Sequence, residues 1–210
     1  MIEWNYTLRF KSPVSVFSGL SVAGLVDRMI VRCRGDLPYI PGSSVKGRWR
    51  FFAERLARTG ALPLGFALHD PGRPECKGIT DPCVICKLFG NSSIPALIWV
   101  GQAEPVEPFK SLILQLLDRA PNPVVHPDAE VRPGIGISRA TRTAQPDCLF
   151  FDESLPPVSF SGSIVIRERL SPEEEAFLKG SARLVDRIGA RKAVGRGILD
   201  GGIHIDGGAS

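Results

Sequence analysis

Trp4, Tyr6, Leu8 and Phe10 alternate with polar residues, and this period of two predicts a half-buried strand at the start of the chain. A glycine-punctuated stretch, 19–24, leads to a second strand-like run over Leu25–Val31. Leu37-Pro38-Tyr39-Ile40-Pro41 reads as a strand end broken by Pro41-Gly42, after which Ser43 or Ser44 can cap a helix. Val45, Trp49, Phe52, Ala53 and Leu56 recur at helical spacing and predict that helix over 44–58. Residues 60–93 lose periodicity and collect Gly, Pro, His and Cys. Strands are predicted over 94–103 and 109–117, a Pro-rich stretch over 121–133, and a segment 134–143 from which Leu149-Phe150-Phe151 returns to the core.

Residues 158–169 alternate again as a strand. Ser171-Pro172-Glu173-Glu174 then supplies an N-cap, a proline at the first helical position and the glutamate of a capping box. Phe177, Leu178, Leu184, Val185 and Ile188 form the apolar stripe of this second helix, which Gly189 is expected to end. A last strand over 198–205 closes the chain, and no internal repeat stands out. The order strand, helix, strands, hairpin insertion, strand, helix, strand predicts an α+β sandwich of the ferredoxin-like kind, both helices on one face.

The 210 residues suffice for one sizeable domain, and 43% hydrophobic with 23% charged residues is ordinary for a soluble globular protein. The longest apolar run, Ile94–Val100, is too short to span a bilayer, so no membrane partner is expected. Met1-Ile2-Glu3-Trp4-Asn5 has neither the basic nor the apolar region of a secretory signal, so a cytoplasmic, reducing location is expected. Five cysteines there read as metal ligands or buried thiols, not disulfide partners. Between Arg28 and Arg58, eight Lys and Arg face only Asp36 and Glu54, a local +6 against +4 for the whole chain. Arg183, Arg187, Arg191, Lys192 and Arg196 form a second concentration opposed by Asp186 alone. Charge focused in this way points to a polyanion partner, although a pair of solvated helix faces would look the same.

Free amides at a helix start beside Lys46, Arg48 and Arg50 make a seat for phosphate. His69, Cys76, Cys83 and Cys86 form a complete tetrahedral zinc set, and Cys83-x-x-Cys86 has the short bite of a zinc knuckle. Four ligands leave no open position, so the expected role is a structural Zn2+ that staples a loop with little core of its own. Cys33 and Cys148 read as core residues, and His126 and His204 as ordinary surface residues. Gly195-Arg196-Gly197 follows a helix and precedes a strand, so it is not a dinucleotide fingerprint; it reads as a phosphate-hugging loop flanked by Lys192, or as a tight connection. No Ser-His-Asp or Cys-His nucleophile set is present. Asp27 interrupts an apolar run just before the basic helix, and spacing alone makes it a strand-end polar residue.

Taken together, Leu37–Arg50, Cys83–Gly90, Gly136–Thr143 with Leu149–Glu153, and Ile188–Gly197 resemble the RAMP superfamily of CRISPR-associated proteins. Within it, the chain is most similar to the repeating backbone subunit of type III effector complexes. The resemblance implies a single RAMP domain over 1–210 with an RRM-like core, a zinc-bearing insertion over 60–93 and a β-hairpin thumb insertion over 121–152. It implies copies stacked on a guide RNA (crRNA), each thumb wedged into the guide–target duplex beside other effector subunits. Ser43, Ser44, Lys46, Arg48 and Arg50 would grip guide phosphates, with Arg139 and Arg142 on the thumb and Arg191, Lys192, Gly195, Arg196 and Gly197 at the glycine loop. Asp27 matches the family position that promotes cleavage of target RNA, so the implied activity is that of an endoribonuclease. There a ribose 2′-OH attacks the neighbouring phosphate, with Asp27 either binding a divalent cation such as Mg2+ or handling the proton. Two alternatives stand beside it: a non-catalytic RNA-binding backbone subunit, and a guide-processing endoribonuclease. The latter would need an early general base, and the first sixty residues contain no His.

Overall fold

The protein is described by a computed structural model covering residues 1–33, 35–60, 76, 82–119 and 125–207. Among the described residues, six strands and four helices follow one another: β1 (Ile2–Phe10), α1 (Gly42–Arg58), α2 (Val84–Phe89), β2 (Ile98–Pro105), α3 (Phe109–Arg119), β3 (Glu130–Ile137), β4 (Ala144–Ser154), β5 (Ser159–Ile166), α4 (Pro172–Arg183) and β6 (Leu199–Asp206). Four strands form one antiparallel sheet in the order β2-β5-β1-β6, and β3 and β4 pair in a separate hairpin. The alternation read from β1 holds: Trp4, Tyr6, Leu8 and Phe10 are buried, while Glu3, Asn5 and Arg9 are exposed on the other face.

The buried face joins α1 and α4 in one core, which includes Val45, Trp49 and Ala53 from α1 and Phe177, Leu178 and Ala182 from α4. Trp49 donates its Nε1–H to Ser181 Oγ at 2.9 Å, tying the helices at their crossing. Tyr6 reaches under Gly162, where a side chain would collide with its ring, and donates to the Gly101 carbonyl at 2.7 Å. The phenol is thereby held far from water, and burial raises its pKa well above 10.

Several predicted elements change. Residues 109–117 form helix α3, not a strand; Ile113 and Leu117, four apart, bury against Leu37 in a small second cluster while Leu112 and Leu114 stay exposed. The run 25–31 forms only isolated bridges, Val26 with Val22, Arg28 with Asp152 and Ile30 with Phe17, because no single neighbouring strand runs alongside it. Helix α1 begins at Gly42, and Pro41 is its N-cap; neither Ser43 nor Ser44 caps it. Gly42 allows this start because a Cβ there would lie about 2.0 Å from the Val100 carbonyl. Strand β2 begins at Ile98 because Asn91 Oδ1 accepts from the Ser93 and Ile94 amides and turns the preceding chain.

Helix α4 has the predicted capping box, Ser171 with Glu174, and Pro172 in its first turn. It ends at Arg183, before Gly189: Val185 and Ile188 reach the core from an irregular segment in which Arg187 bridges Ile198 and Ile188 N–H donates to Gly197. His126 is buried, not a surface residue: Asp128 beside it forms a buried ion pair with Arg32, and folding the 125–128 turn over that pair encloses the imidazole. Cys33 packs at the small cluster, and Cys148 sits on the hairpin outside the main core, because β4 projects from the domain there. Among the described residues no helix is long and apolar enough to cross a membrane.

Candidate nucleic-acid interface

The segment 11–33 has too few ladder bonds to be a strand, yet it is fastened at both ends. Val14 bridges Leu155, Phe17 bridges Ile30, and Arg28 bridges Asp152 in parallel. Asp27 is exposed, and its Oδ2 accepts from the Phe151 amide at 2.7 Å while its own N–H donates to the Phe151 carbonyl at 2.9 Å. Two residues on, Glu153 N–H donates to the Arg28 carbonyl, and the buried Glu153 carboxylate accepts from Ile30 N–H at 2.8 Å. The loop bearing Asp27 and the base of β4 are therefore one hydrogen-bonded unit.

Beside this unit lies a charge cluster that residue patterning missed. Asp152 is almost fully buried; Arg191 Nε donates to its Oδ2 at 2.8 Å, and Arg28 Nη1 stands 3.8 Å from its Oδ1. Both guanidiniums also lie on the Phe150 ring, at 5.3 Å for Arg28 and 4.1 Å for Arg191. Gly134 makes room for that ring, since a Cβ there would fall about 2.1 Å from it. The only trace in sequence was an acid following two phenylalanines in Leu149-Phe150-Phe151-Asp152. Arg191 spans the gap to the glycine loop, and its backbone sits in the left-handed region at φ 57°.

The glycine loop packs against the N-terminal segment. Ala190 N–H donates to the Ser15 carbonyl, and Gly197 N–H to the Pro13 carbonyl. Gly197 is at φ 69°, and a Cβ there would sit about 1.9 Å from the Ile188 carbonyl, so no other residue fits. Gly195 is also left-handed but faces open space. Lys192 Nζ donates to the Gly189 carbonyl and Arg196 Nη1 to Ser15 Oγ; burial lowers the Arg196 pKa.

Between this loop and the start of α1 runs a groove of about 600 Å³ lined by Ser43, Ser44, Arg48, Phe51, Ala190 and Lys192. Residues from both ends of the chain thus meet across this groove, but the cations of the α1 start are partly committed. Arg48 pairs with Asp186 at 2.9 Å and lies over the Phe51 and Phe52 rings; Arg50 pairs with Glu54 and donates to the Gly90 carbonyl. Lys46 faces the other flank of α1 and donates to the Ile98 carbonyl; burial, then Arg50 and Arg167, lower its pKa. With no acid partner among the described residues, Lys46 is the cation of the three that most lacks a counter-charge. Arg139 and Arg142 sit exposed at the turn of the β3–β4 hairpin and do not line this groove. Ile135, Ile137 and Leu149 are exposed on the same hairpin and give it an apolar surface.

Cys76, Cys83 and Cys86 bring their sulfurs within 4.8 Å of one another. Cys83 caps the six-residue α2 by accepting from Cys86 N–H, and Cys76 accepts from Cys83 N–H. The Cys83 amide, and then the Cys83 and Cys86 thiols, lower the Cys76 pKa, as a thiolate ligand requires. Three converging thiols fit a tetrahedral metal ion; His69, the expected fourth ligand, lies outside the described residues. No comparable set surrounds Asp27: among the described residues the cysteine trio is the one group of three or more ligating side chains.

A sequence profile of the RAMP superfamily matches residues 7–200. No curated protein matches significantly. Among solved structures, the chain is similar to one in the cryo-EM structure of Type III-B Cmr-beta bound to cognate target RNA, at 14% identity and TM-score 0.60, covering 98% of this chain and 97% of that one. It is similar also to a chain of Type III-B Cmr-beta in the apo state, at 14% identity and TM-score 0.62, covering 97% of each.

Proposed function

From the premise that this chain belongs to the RAMP superfamily, we propose that it is a guide-RNA-binding backbone subunit of a type III CRISPR effector that acts on complementary target RNA in the cytoplasm. The observation that carries this reading is the groove between the start of α1 and the glycine loop, where Ser43, Ser44, Arg48 and Lys192 converge. Serine side chains and cations along the groove, with the exposed Phe51 beside them, suit a ribose–phosphate strand better than a small metabolite. The strand order β2-β5-β1-β6 is read as a ferredoxin-like core, and the cysteine trio as three ligands of a structural Zn2+. The β3–β4 hairpin, with Ile135, Ile137 and Leu149 exposed and Arg139 and Arg142 at its turn, serves as the thumb that enters a guide–target duplex. Other effector subunits and further copies of this chain are its protein partners.

Asp27 is assigned to cleavage. Its Oδ2 is held by Phe151, and Oδ1 has no protein partner among the described residues, so that oxygen is free to accept a proton from a ribose 2′-OH. Attack on the adjacent phosphorus breaks the bond to the 5′-oxygen and leaves a 2′,3′-cyclic phosphate; solvent protonates the departing oxygen. Arg28, half-exposed and braced by Phe150, Phe17 and Asp152, is placed to stabilise the charge that develops. The RNA-binding part is tested by titrating full-length protein with single-stranded RNA at several salt concentrations. Binding that weakens steeply with salt, with a slope reduced by Lys46→Met or Arg48→Met, supports it; binding indifferent to both variants removes it.

A further inference from the structure

Among the described residues nothing in the fold requires Gly47 to be glycine. It lies inside α1, its φ is helical, it is exposed, and a Cβ built on it meets no described atom outside its own helix within 4 Å. Glycine in a helix interior sacrifices stability relative to alanine, and here neither a turn nor a close neighbour explains the loss. The residue does, however, form part of two separate grooves. One is the cleft toward the glycine loop, with Arg48, Phe51 and Lys192; the other, of about 480 Å³, lies on the opposite flank with Lys46, Arg50, Gly90 and Asn91. Ser43 is likewise shared by both. The low ridge separating two basic grooves is therefore the bare backbone of Gly47 with the small side chain of Ser43 one turn before it.

We infer that one RNA strand crosses α1 over Gly47, seating consecutive backbone phosphates in the two grooves, and that the glycine is there to let the ribose–phosphate chain touch the helix backbone. The inference rests on the reading of this surface as an RNA seat and deepens it by naming the path. A free anion would need only one groove. A continuous polyanion needs both, with a passage low enough between them. Phe51 adds a second mark of a nucleotide: it is 43% exposed, lies one turn beyond Gly47, and is flanked by the guanidiniums of Arg48 at 4.9 Å and Arg55 at 5.5 Å. The exposed ring and the two guanidiniums over it put an aromatic surface and positive charge beside a passing nucleotide. The second groove also has a built wall: Arg50 donates to the Gly90 carbonyl, and Asn91 Nδ2 donates to the Cys76 carbonyl, which links that wall to the cysteine cluster.

The test compares Gly47→Ala with Gly180→Ala in the full-length chain. Gly180 is the other exposed glycine inside a long helix whose Cβ position is open, and it lines neither groove. Thermal unfolding and binding of a fluorescein-labelled single-stranded RNA are measured for both, beside Lys46→Met and Arg48→Met. Both alanine variants are expected to unfold at or above the wild-type temperature. Gly47→Ala is expected to bind RNA at least tenfold more weakly, and Gly180→Ala as well as wild type. Wild-type affinity in Gly47→Ala, with weakening in Lys46→Met and Arg48→Met, would overturn the crossing and leave the RNA seat standing. A lower unfolding temperature in Gly47→Ala would overturn it too, since the glycine would then serve the fold. Failure of the wild type to bind, or indifference to both cation variants, would remove the RNA seat and the crossing with it.

Discussion

Asp27 grips both sides of one residue: its carboxylate accepts from the Phe151 N–H, and its N–H donates to the Phe151 carbonyl. The residue assigned to cleavage is thus also the fastening of the hairpin root. A variant there has two effects that must be separated. Asp27→Asn keeps an oxygen for the Phe151 amide and removes the charge; it is expected to abolish guide-directed cleavage while guide binding and unfolding temperature stay at wild-type values. Asp27→Ala should add a loss of about 1 kcal/mol from the missing hydrogen bond, read by thermal unfolding. Unchanged cleavage by Asp27→Asn in the assembled complex would remove the catalytic assignment.

Asp152 is expected to be a sensitive carboxylate for stability. It is nearly buried between Arg28 and Arg191, and Arg191 Nη2 is already without a hydrogen-bond partner among the described residues. Asp152→Ala leaves a largely buried guanidinium uncompensated and should cost about 3 kcal/mol. The double variant Asp152→Ala/Arg191→Ala should cost less than the two single losses together, which a denaturant double-mutant cycle would measure.

The link between the two core helices can be cut with one atom. Ser181→Ala removes the acceptor for the fully buried Trp49 Nε1–H, and an unsatisfied indole donor costs about 1–3 kcal/mol. Trp49→Phe removes the donor but opens a cavity. Unfolding temperatures of the two singles and the double should reveal coupling.

Stability should decline as the solution becomes acidic through His126. Burial, and then Arg32, hold its pKa below the ordinary 6.5. The neutral imidazole is therefore favoured by the fold. Its contribution is complete above about 6.5, the unfolded value, and is lost as pH falls from there through the lowered folded value. Unfolding temperatures measured from pH 8 to pH 5 should drop for wild type, and His126→Gln should flatten that slope.

Removing metal should loosen the wall that Asn91 builds against Cys76. Purified protein should hold about one zinc per chain, and a chelator should lower its unfolding temperature. Cys83→Ser/Cys86→Ser should unfold at that lower temperature with or without chelator. Zinc retained by the double variant would exclude the site.

Legibility in the sequence varied with the range of the interaction concerned. The alternation of Trp4, Tyr6, Leu8 and Phe10, the capping box at Ser171 and Glu174, and the Cys83-x-x-Cys86 bite are local, and each could be read directly. Phe109–Arg119 was misread because a short apolar stretch suits a strand or a helix equally; what decides is the Leu37 cluster it packs on. Pro41 displaced both serines as the cap because Gly42 could press against the β2 backbone, a contact between residues far apart in the chain.

The sequence alone therefore determined the kinds of chemistry available: a basic helix start, a thiol cluster, a glycine loop and one acid ahead of them. Only the tertiary structure decided which of these meet. It brought Lys192 to Arg48 across one groove, spent part of that charge on Asp186 and Glu54, and hid Asp152 under two arginines. It also left Gly47 bare between two clefts. The physical reason is that side-chain type and helical or strand period are set residue by residue, whereas charge pairing, burial and open space depend on neighbours that the chain supplies from a hundred or more positions away.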